Sequence, residues 1–304
     1  MSSHVSVMPE ETLKLLDVKE DGIYVDGTLG RGGHTRRILE KLKSGHLYCF
    51  DLDEEAIEES RKLLKEFDNV TFIHDNFKNM GNYVKEVDGI LLDLGVSSPQ
   101  FDEAERGFSY RYDGPLDMRM NKDDKLSAYD VVNHYSKEDL QRVLWNYGEE
   151  RNASRIASKI VESRPIETTL QLVEVIKSAL PAKVLSKKGH PAKQSFQAIR
   201  IEVNHELDSL KEFLDSFDPI LKTGGRLVII TFHSLEDRLV KHKFKALTTA
   251  EDDKRIALRP EEVKKADYVL LNRGVKATEE EVENNRRSKS AILRGIKKAY
   301  GKDS

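Results

Sequence analysis

An α/β fold wound around a parallel sheet, with a small helical insertion, is what this sequence predicts, and three observations predict it. Four short apolar runs, at 23–26, 47–50, 70–74 and 89–93, alternate with segments of helical spacing, the rhythm of βαβ units. The fourth run, Gly89-Ile90-Leu91-Leu92-Asp93, is apolar up to its last residue, as a strand covered on both faces should be. From about 106 to 194 the rhythm stops, and three helical stripes take its place.

A chain of 304 residues can bury a large core without covalent staples. Its single cysteine, Cys49, lies inside the second apolar run. That excludes a disulfide framework and a cysteine-based zinc site, and it suits a reducing cytoplasm. No His, Cys, Asp or Glu group has metal-ligand spacing, so no metal is expected. No run approaches a membrane span, and the first residues lack the apolar core of a secretion signal. A cytoplasmic protein away from membranes is the expectation. The net charge of −3 does not announce a nucleic-acid binder, so any such surface must be local.

In chain order, His4 precedes a helical pattern at 12–16 and is a candidate for a substrate contact or for a capping histidine. The first strand runs into Gly27-Thr28-Leu29-Gly30-Arg31-Gly32-Gly33-His34, and a helical pattern follows from Thr35 to Leu42. Strand, glycine-rich loop and helix form a nucleotide-type cradle, because glycine lets a ligand lie against the main chain. No Lys-Ser or Lys-Thr closes the loop, which excludes a P-loop, and Leu29 breaks the Gly-x-Gly-x-x-Gly pattern. The carboxylate of Asp26 repels a pyrophosphate and suits a cation or an amine. S-adenosylmethionine, with its sulfonium and α-amine, fits such a loop better than NAD or ATP.

The second strand ends in Asp51-Leu52-Asp53. An acid there accepts hydrogen bonds from both ribose hydroxyls, and Asp51 is the better candidate, while Asp53 caps the helix that follows. After the third strand comes Asp75-Asn76-Phe77, where Phe77 either packs on an adenine or joins the core. After the fourth comes Asp93-Leu94-Gly95-Val96-Ser97-Ser98-Pro99-Gln100-Phe101, where the chemistry of such folds belongs. Ser98-Pro99-Gln100-Phe101 is a relative of the Ser/Asn/Asp-Pro-Pro-Tyr/Phe motif of amine methylases. There, acceptors on the amine hydrogens favour the pyramidal form that attacks a methyl group. A plain turn is the competing reading.

The stretch from Arg106 to Arg119 mixes arginines with aromatics, which suits stacking on single-stranded bases or, equally, a packed surface loop. Ser136-x-x-Asp139 and Thr168-x-x-Gln171 open two helices as capping boxes, and Ala153, Ile156, Ala157 and Ile160 mark another between them. Lys183, Lys187, Lys188, Lys193 and Arg200 stand with His190 and no acid, a footprint for phosphates or a solvated loop. Residues 195–217 read as one long helix ended by Gly224-Gly225, and 226–232 as a strand returning to the sheet. His233 stands at its end as a site residue or a structural histidine, with Ser234 and Asp237 as a capping box. Strand-like runs at 268–271 and 291–293 bring the sheet to seven strands.

Together these stretches resemble the bacterial 16S ribosomal RNA (cytosine(1402)-N4)-methyltransferase family. The resemblance is carried by residues 26–34 and 91–100, by Glu105-Arg106-Gly107-Phe108-Ser109, by Asp113-Gly114-Pro115-Leu116-Asp117-Met118-Arg119, and by 147–151, 196–201 and 232–238. It implies a Rossmann-like class I S-adenosylmethionine-dependent methyltransferase sheet in 1–105 and 195–304, with an inserted helical RNA-recognition domain in 106–194. It implies S-adenosylmethionine as methyl donor, held by Gly32, Gly33, His34, Asp51, Phe77, Asp93 and Gln100. The acceptor it implies is a cytosine N4 amine of 16S ribosomal RNA in the small subunit. Asp93, Ser98 and Pro99 are the expected catalytic group, orienting that amine. Arg106, Arg119, Lys187, Lys188, Lys193, Arg200 and His233 are the expected substrate contacts. A relative in the family has His-Gly-Pro-Phe where this chain has His74-Asp75-Asn76-Phe77, which leaves the part of Asp75 open. No residue is assigned as general base, and a homodimer is the candidate assembly. The rival readings are methylation of DNA amines and a cofactor-binding ribosome assembly factor without turnover.

Overall fold

The computed structural model describes residues 6–250 and 266–299, so His4 lies outside the described residues. The chain divides into two compact units, one of Met1–Gly95 with Asp208–Ser304, the other of Val96–Leu207.

The first unit opens with α1 (Pro9–Leu16), then β1 (Ile23–Asp26), α2 (Gly33–Leu39), β2 (His46–Asp51), α3 (Glu54–Leu63), β3 (Val70–His74), a 3₁₀ turn (Phe77–Asn82) and β4 (Val87–Asp93). β1 pairs in parallel with both β2 and β4, and β2 pairs in parallel with β3. Strand residues alternate between two cores. Tyr24, Leu91, Val228 and Ile230 pack with Leu13 and Leu16 of α1, Ile38 and Leu39 of α2 and Ile57 of α3. Their neighbours Val25, Ile90, Leu92, Leu227 and Ile229 pack instead with Met80, Phe213 and Phe244. A sheet buried on both faces by period-2 alternation is a doubly wound sheet.

The helical unit holds α4 (Ser98–Asp102), α5 (Ala128–His134), α6 (Lys137–Gly148), α7 (Ala153–Glu162), α8 (Thr169–Ala179), α9 (Ala182–Leu185) and α10 (Lys193–Asn204). Its core contains Val131, Leu140, Leu144, Ile156, Ile160, Leu172, Ile176 and Ile199. Thr168 and Gln171 form the expected capping box. Ser127 and Asp130 form another at the start of α5, a two-turn helix too short to show as an apolar stripe. The unit extends beyond 106–194 because Val96 and Phe101 at one end and Phe196, Ile199 and Val203 at the other join its core. Gly107 takes φ +70°, and a Cβ there would lie 2.1 Å from the Pro115 carbonyl oxygen, so only glycine fits that turn.

The long helix expected over 195–217 is two. His205 takes φ +48°, ending α10 and starting α11 (Glu206–Ser216). Gly224-Gly225 does not end a helix either. It lies inside β5 (Leu221–Thr231), where Val87 pairs with Leu221 but Gly89 pairs with Arg226. The surplus residues bulge out through Gly224 at φ +83°. After α12 (Ser234–Leu247) come β6 (Tyr268–Leu270), β7 (Val275–Lys276), α13 (Glu279–Asn284) and β8 (Ile292–Lys298). β8 runs antiparallel to β5 and β6, giving the order β3-β2-β1-β4-β5-β8-β6, with the two-residue β7 as an eighth strand on β8.

His233, not Ser234, is the N-cap of α12. Asp237 leaves the expected capping box because Arg294 on β8 claims it, with Nε and Nη2 donating to its two oxygens at 2.7 and 3.0 Å. The third donor of that guanidinium reaches the Arg273 carbonyl at 2.7 Å. Arg294→Met is expected to leave the half-buried Asp237 carboxylate without its guanidinium and lower stability by about 1–3 kcal/mol, read from the urea unfolding midpoint.

Candidate active site

Three adjacent strands each end in an aspartate, Asp26 on β1, Asp51 on β2 and Asp93 on β4. The register makes them unequal. Asp26 pairs across to Cys49 on one side and Leu91 on the other, so Asp51 and Asp93 project two residues further along their strands. Asp26 is therefore recessed by roughly 6–7 Å beneath a rim of two carboxylates. Ligands of open α/β sheets bind at this carboxyl edge.

Local hydrogen bonds hold each acid. The Thr35 hydroxyl donates to Asp26 Oδ2 at 2.7 Å and the Thr28 amide donates to Oδ1 at 3.1 Å. Asp51 accepts the Gly30 amide at 2.8 Å and the Asp53 amide at 2.9 Å. Asp53 in turn caps α3 through the Glu55 amide, as expected of it. The Asp93 amide donates to the Thr28 hydroxyl at 2.6 Å, which ties the tip of β4 to the glycine loop. Gly32 at φ +71° is the left-handed N-cap of α2, and Gly33 is that helix's first residue. Thr28 and Thr35 were not singled out in the sequence. Their signal is a threonine two and nine residues after the strand-ending acid.

His34 is 6 % exposed. Its Nε2 lies 3.4 Å from Asp93 Oδ2, yet both ring nitrogens and Asp93 Oδ1 are buried without a hydrogen-bond partner. Burial disfavours its charged form, but the Asp93 contact and the charges of Asp93 and Asp26 outweigh this and raise its pKa. Burial pushes Asp26 up as well, against the Thr35 hydrogen bond. Burial pushes Asp51 up to about 6, with the Asp53 and Gly30 amides pulling the other way. Unused donors and acceptors beside clustered carboxylates suit a small cationic ligand with polar ends.

Phe77 opens the 3₁₀ turn and packs its ring edge-on to Phe213 at 5.7 Å, on one of the two sheet cores. Asp75 is committed within its own loop. Its oxygens take the Asn76 amide at 2.7 Å, the Asn79 side chain at 2.8 Å and the Tyr83 hydroxyl at 2.9 Å. His233 Nδ1 accepts the Glu236 amide at 3.4 Å, so the histidine has a structural part as a cap. In the helical unit, Ser98 and Pro99 begin α4, and Gln100 Oε1 accepts the Ser97 amide at 3.0 Å.

The residues expected to contact substrate divide by type. Arg106 is 7 % exposed and donates to the carbonyls of Arg119 and Met120 at 3.1 and 3.2 Å. Arg119 forks onto Asp117 at 2.9 and 2.8 Å and also holds the Lys122 and Asp124 carbonyls. Arg200 forks onto Glu206 at 2.8 and 3.0 Å. Lys187, Lys188 and Lys193 are exposed, with no ion pair among the described residues.

The model of the MraW methylase family matches residues 1–299 of this chain. A protein of Mesoplasma florum named ribosomal RNA small subunit methyltransferase H is 50 % identical over 307 residues, covering 98 % of this chain and 100 % of that one. Among solved structures, an rRNA methylase from Streptococcus thermophilus is 14 % identical with a TM-score of 0.39, covering 96 % of this chain and 94 % of its own. An S-adenosylmethionine-dependent O-methyltransferase from Thermotoga maritima is 12 % identical with a TM-score of 0.42, covering 100 % and 70 %. Likeness at those scores carries no weight, and the fold rests on the strand order above.

The raised pKa values fix how stability follows pH. Asp51 ionises near pH 4 when unfolded but near 6 when folded, so the stability it contributes is whole below pH 4 and lost as pH climbs through 6. His34 and Asp26, both raised, have the same sign. Asp17, Asp117 and Asp130 are lowered and act oppositely, only in acid. The ligand-free protein is expected to unfold at lower urea at pH 8 than at pH 5.5, and Asp51→Asn should shrink that difference.

Proposed function

The chain belongs to the MraW methylase family, and from that premise we propose that this S-adenosylmethionine-dependent small-subunit ribosomal RNA methyltransferase delivers its methyl group to the exocyclic N4 amine of cytosine 1402 in the decoding region of 16S ribosomal RNA. One observation carries the reading: three strand-end carboxylates, with Asp26 recessed between Asp51 and Asp93, surround a glycine loop whose His34 has buried polar atoms without partners. Those residues fit the aminoacyl and ribose ends of the cofactor. When bound, S-adenosylmethionine supplies a methyl group on a sulfonium, an electrophile that an amine attacks in line.

The chain's own residues do the rest. Asp51, its carboxylate already fixed by two loop amides, accepts from the ribose hydroxyls. Gly32 and Gly33 let the loop backbone approach the ligand, and His34 offers a donor beside Asp93. Phe77 offers a ring for the adenine, and the family resemblance adds Gln100 to the cofactor contacts. Asp93, pinned by Thr28, accepts a hydrogen of the cytosine amine, and the family resemblance assigns Ser98 and Pro99 to the same catalytic group. The 96–207 unit carries the RNA contacts, through Lys187, Lys188 and Lys193. The target base leaves its stack at a cost of roughly a few kcal/mol, recovered in these contacts. Arg106 and Arg119 serve RNA indirectly, by shaping the backbone of their loop, and Arg200 by its ion pair with Glu206. His233 serves by starting α12. Among the described residues no helix is long and apolar enough to cross a membrane.

Asp93→Ala is expected to cut methyl transfer to small ribosomal subunits by roughly 100-fold or more with the circular dichroism spectrum unchanged. Transfer of tritium from labelled cofactor measures it, and undiminished transfer removes Asp93 from the site. Duplex DNA as a better acceptor than subunits would overturn the RNA assignment. Replacing Lys187, Lys188 and Lys193 together by Gln should flatten the dependence of log affinity on log salt by about 2, since each phosphate contact to a single strand contributes about 0.7.

A further inference from the structure

The helical unit joins two stretches 79 residues apart that the lysine contacts leave unused. The ring of His190 stacks on Tyr110 with centroids 4.3 Å apart and planes 23° apart. Phe101 and Phe196 brace Tyr110 edge-on, each at 5.8 Å. The Arg111 guanidinium lies 5.8 Å from the Tyr110 centroid, and its amide is held by the Ser109 hydroxyl at 3.1 Å. His190 Nδ1 accepts the Ala192 amide at 3.3 Å, which leaves Nε2 to carry the proton of the neutral ring.

We propose that Tyr110, Arg111 and His190 form a strand-binding platform on the helical unit, taking a base and its phosphate from single-stranded RNA. This rests on the RNA reading above and adds a site to it. Three features favour RNA over other partners. A ring pair backed by two further aromatics is a rigid plate of the kind on which bases stack. A guanidinium over the Tyr110 ring supplies a cation–π contribution and a charge for a phosphate. The charge around it is one-sided: residues 175–201 hold Lys177, Lys183, Lys187, Lys188, Lys193 and Arg200 and no acid. An acidic peptide would use the charges but not the plate.

The groups that act on His190 are Lys177 of α8, Arg111 and Tyr110. Burial, Lys177 and Arg111 lower its pKa and favour the neutral ring. A phosphate at the platform favours the imidazolium, and RNA affinity should rise as pH falls from 7.5 to 6.

Fluorescence anisotropy with a 20-nucleotide single-stranded RNA tests this on the full chain, with cofactor affinity measured alongside. Arg111→Gln combined with His190→Gln is expected to weaken RNA binding roughly tenfold, to reduce the salt slope by about 0.7 or more, and to leave cofactor affinity unchanged. The gain in affinity at pH 6 should vanish in His190→Gln. Affinity and slope within twofold of the parent protein overturn the platform, and a gain at pH 6 that persists in His190→Gln removes His190 from it. Displacement by polyglutamate as efficient as by unlabelled RNA overturns it in favour of an acidic protein. If the parent protein binds no RNA at all, the RNA reading itself fails, which is a separate result.

Discussion

Three carboxylates at the ends of neighbouring strands repel one another and lose water, and the surroundings of the sheet's carboxyl edge answer that cost. Asp26 is the most enclosed, and it keeps its place through one hydroxyl and one amide hydrogen bond. Asp51 is held by two amides and Asp93 is anchored through its own amide. These bonds explain why the glycine loop has its shape. The Gly30 amide can reach Asp51 only if the chain doubles back after Leu29, and Gly30 and Gly32 at φ +50° and +71° supply that reversal. The loop is thus an answer to the acids as much as a cradle for a ligand. A cationic ligand relieves the same repulsion, so affinity and the pH response of the unliganded fold have one cause.

Much of this edge was legible in the sequence. The four runs that predict β1 to β4 are strands, and Asp26, Asp51 and Asp93 each end one. Apolar runs between helical patterns make strong local signals because β-strands of a doubly wound sheet are buried on both faces. What failed was decided by tertiary contacts. Residues 195–217 keep helical spacing across His205, so the apolar pattern does not register a single residue turning left-handed. Gly224-Gly225 looks like a helix end but serves a bulge, because only the partner strand shows that residues are surplus. Ser234 and Asp237 have capping spacing, yet Arg294, 57 residues further on, takes the aspartate.

The basic residues of the helical unit show a second limit. Arginine beside aromatics suggests nucleic acid in a sequence, but the planar guanidinium is also the side chain best suited to several carbonyls at once. Arg106, Arg119 and Arg164 all do this, the last holding the Val132 and Tyr135 carbonyls at 2.8 and 2.6 Å. Lysine, with a compact and strongly hydrated charge, is left to solvent at 187, 188 and 193. A block of lysines without acids is the better sequence signal for phosphate, and a mixed Arg–aromatic stretch needs the structure to say which arginines are spent. Arg111 differs from its neighbours here, standing over a ring and not in a nest of carbonyls.

The same segregation explains why net charge says so little. At −3 the chain is close to neutral, yet it holds two one-sided clusters, the strand-end aspartates and the lysines of 183–193. Carboxylates gather where a sheet edge and two threonines hold them, and the low local dielectric around buried Asp26 strengthens their pull on a cation. Lysines gather on exposed helix and loop positions between 183 and 193, where water screens them until a polyanion displaces its counterions. A buried cluster of one sign acts over a few ångströms and selects a small ligand. An exposed cluster of the other sign acts over a Debye length and selects a polymer. One nearly neutral chain can therefore hold a cationic donor and an anionic acceptor without either field cancelling the other.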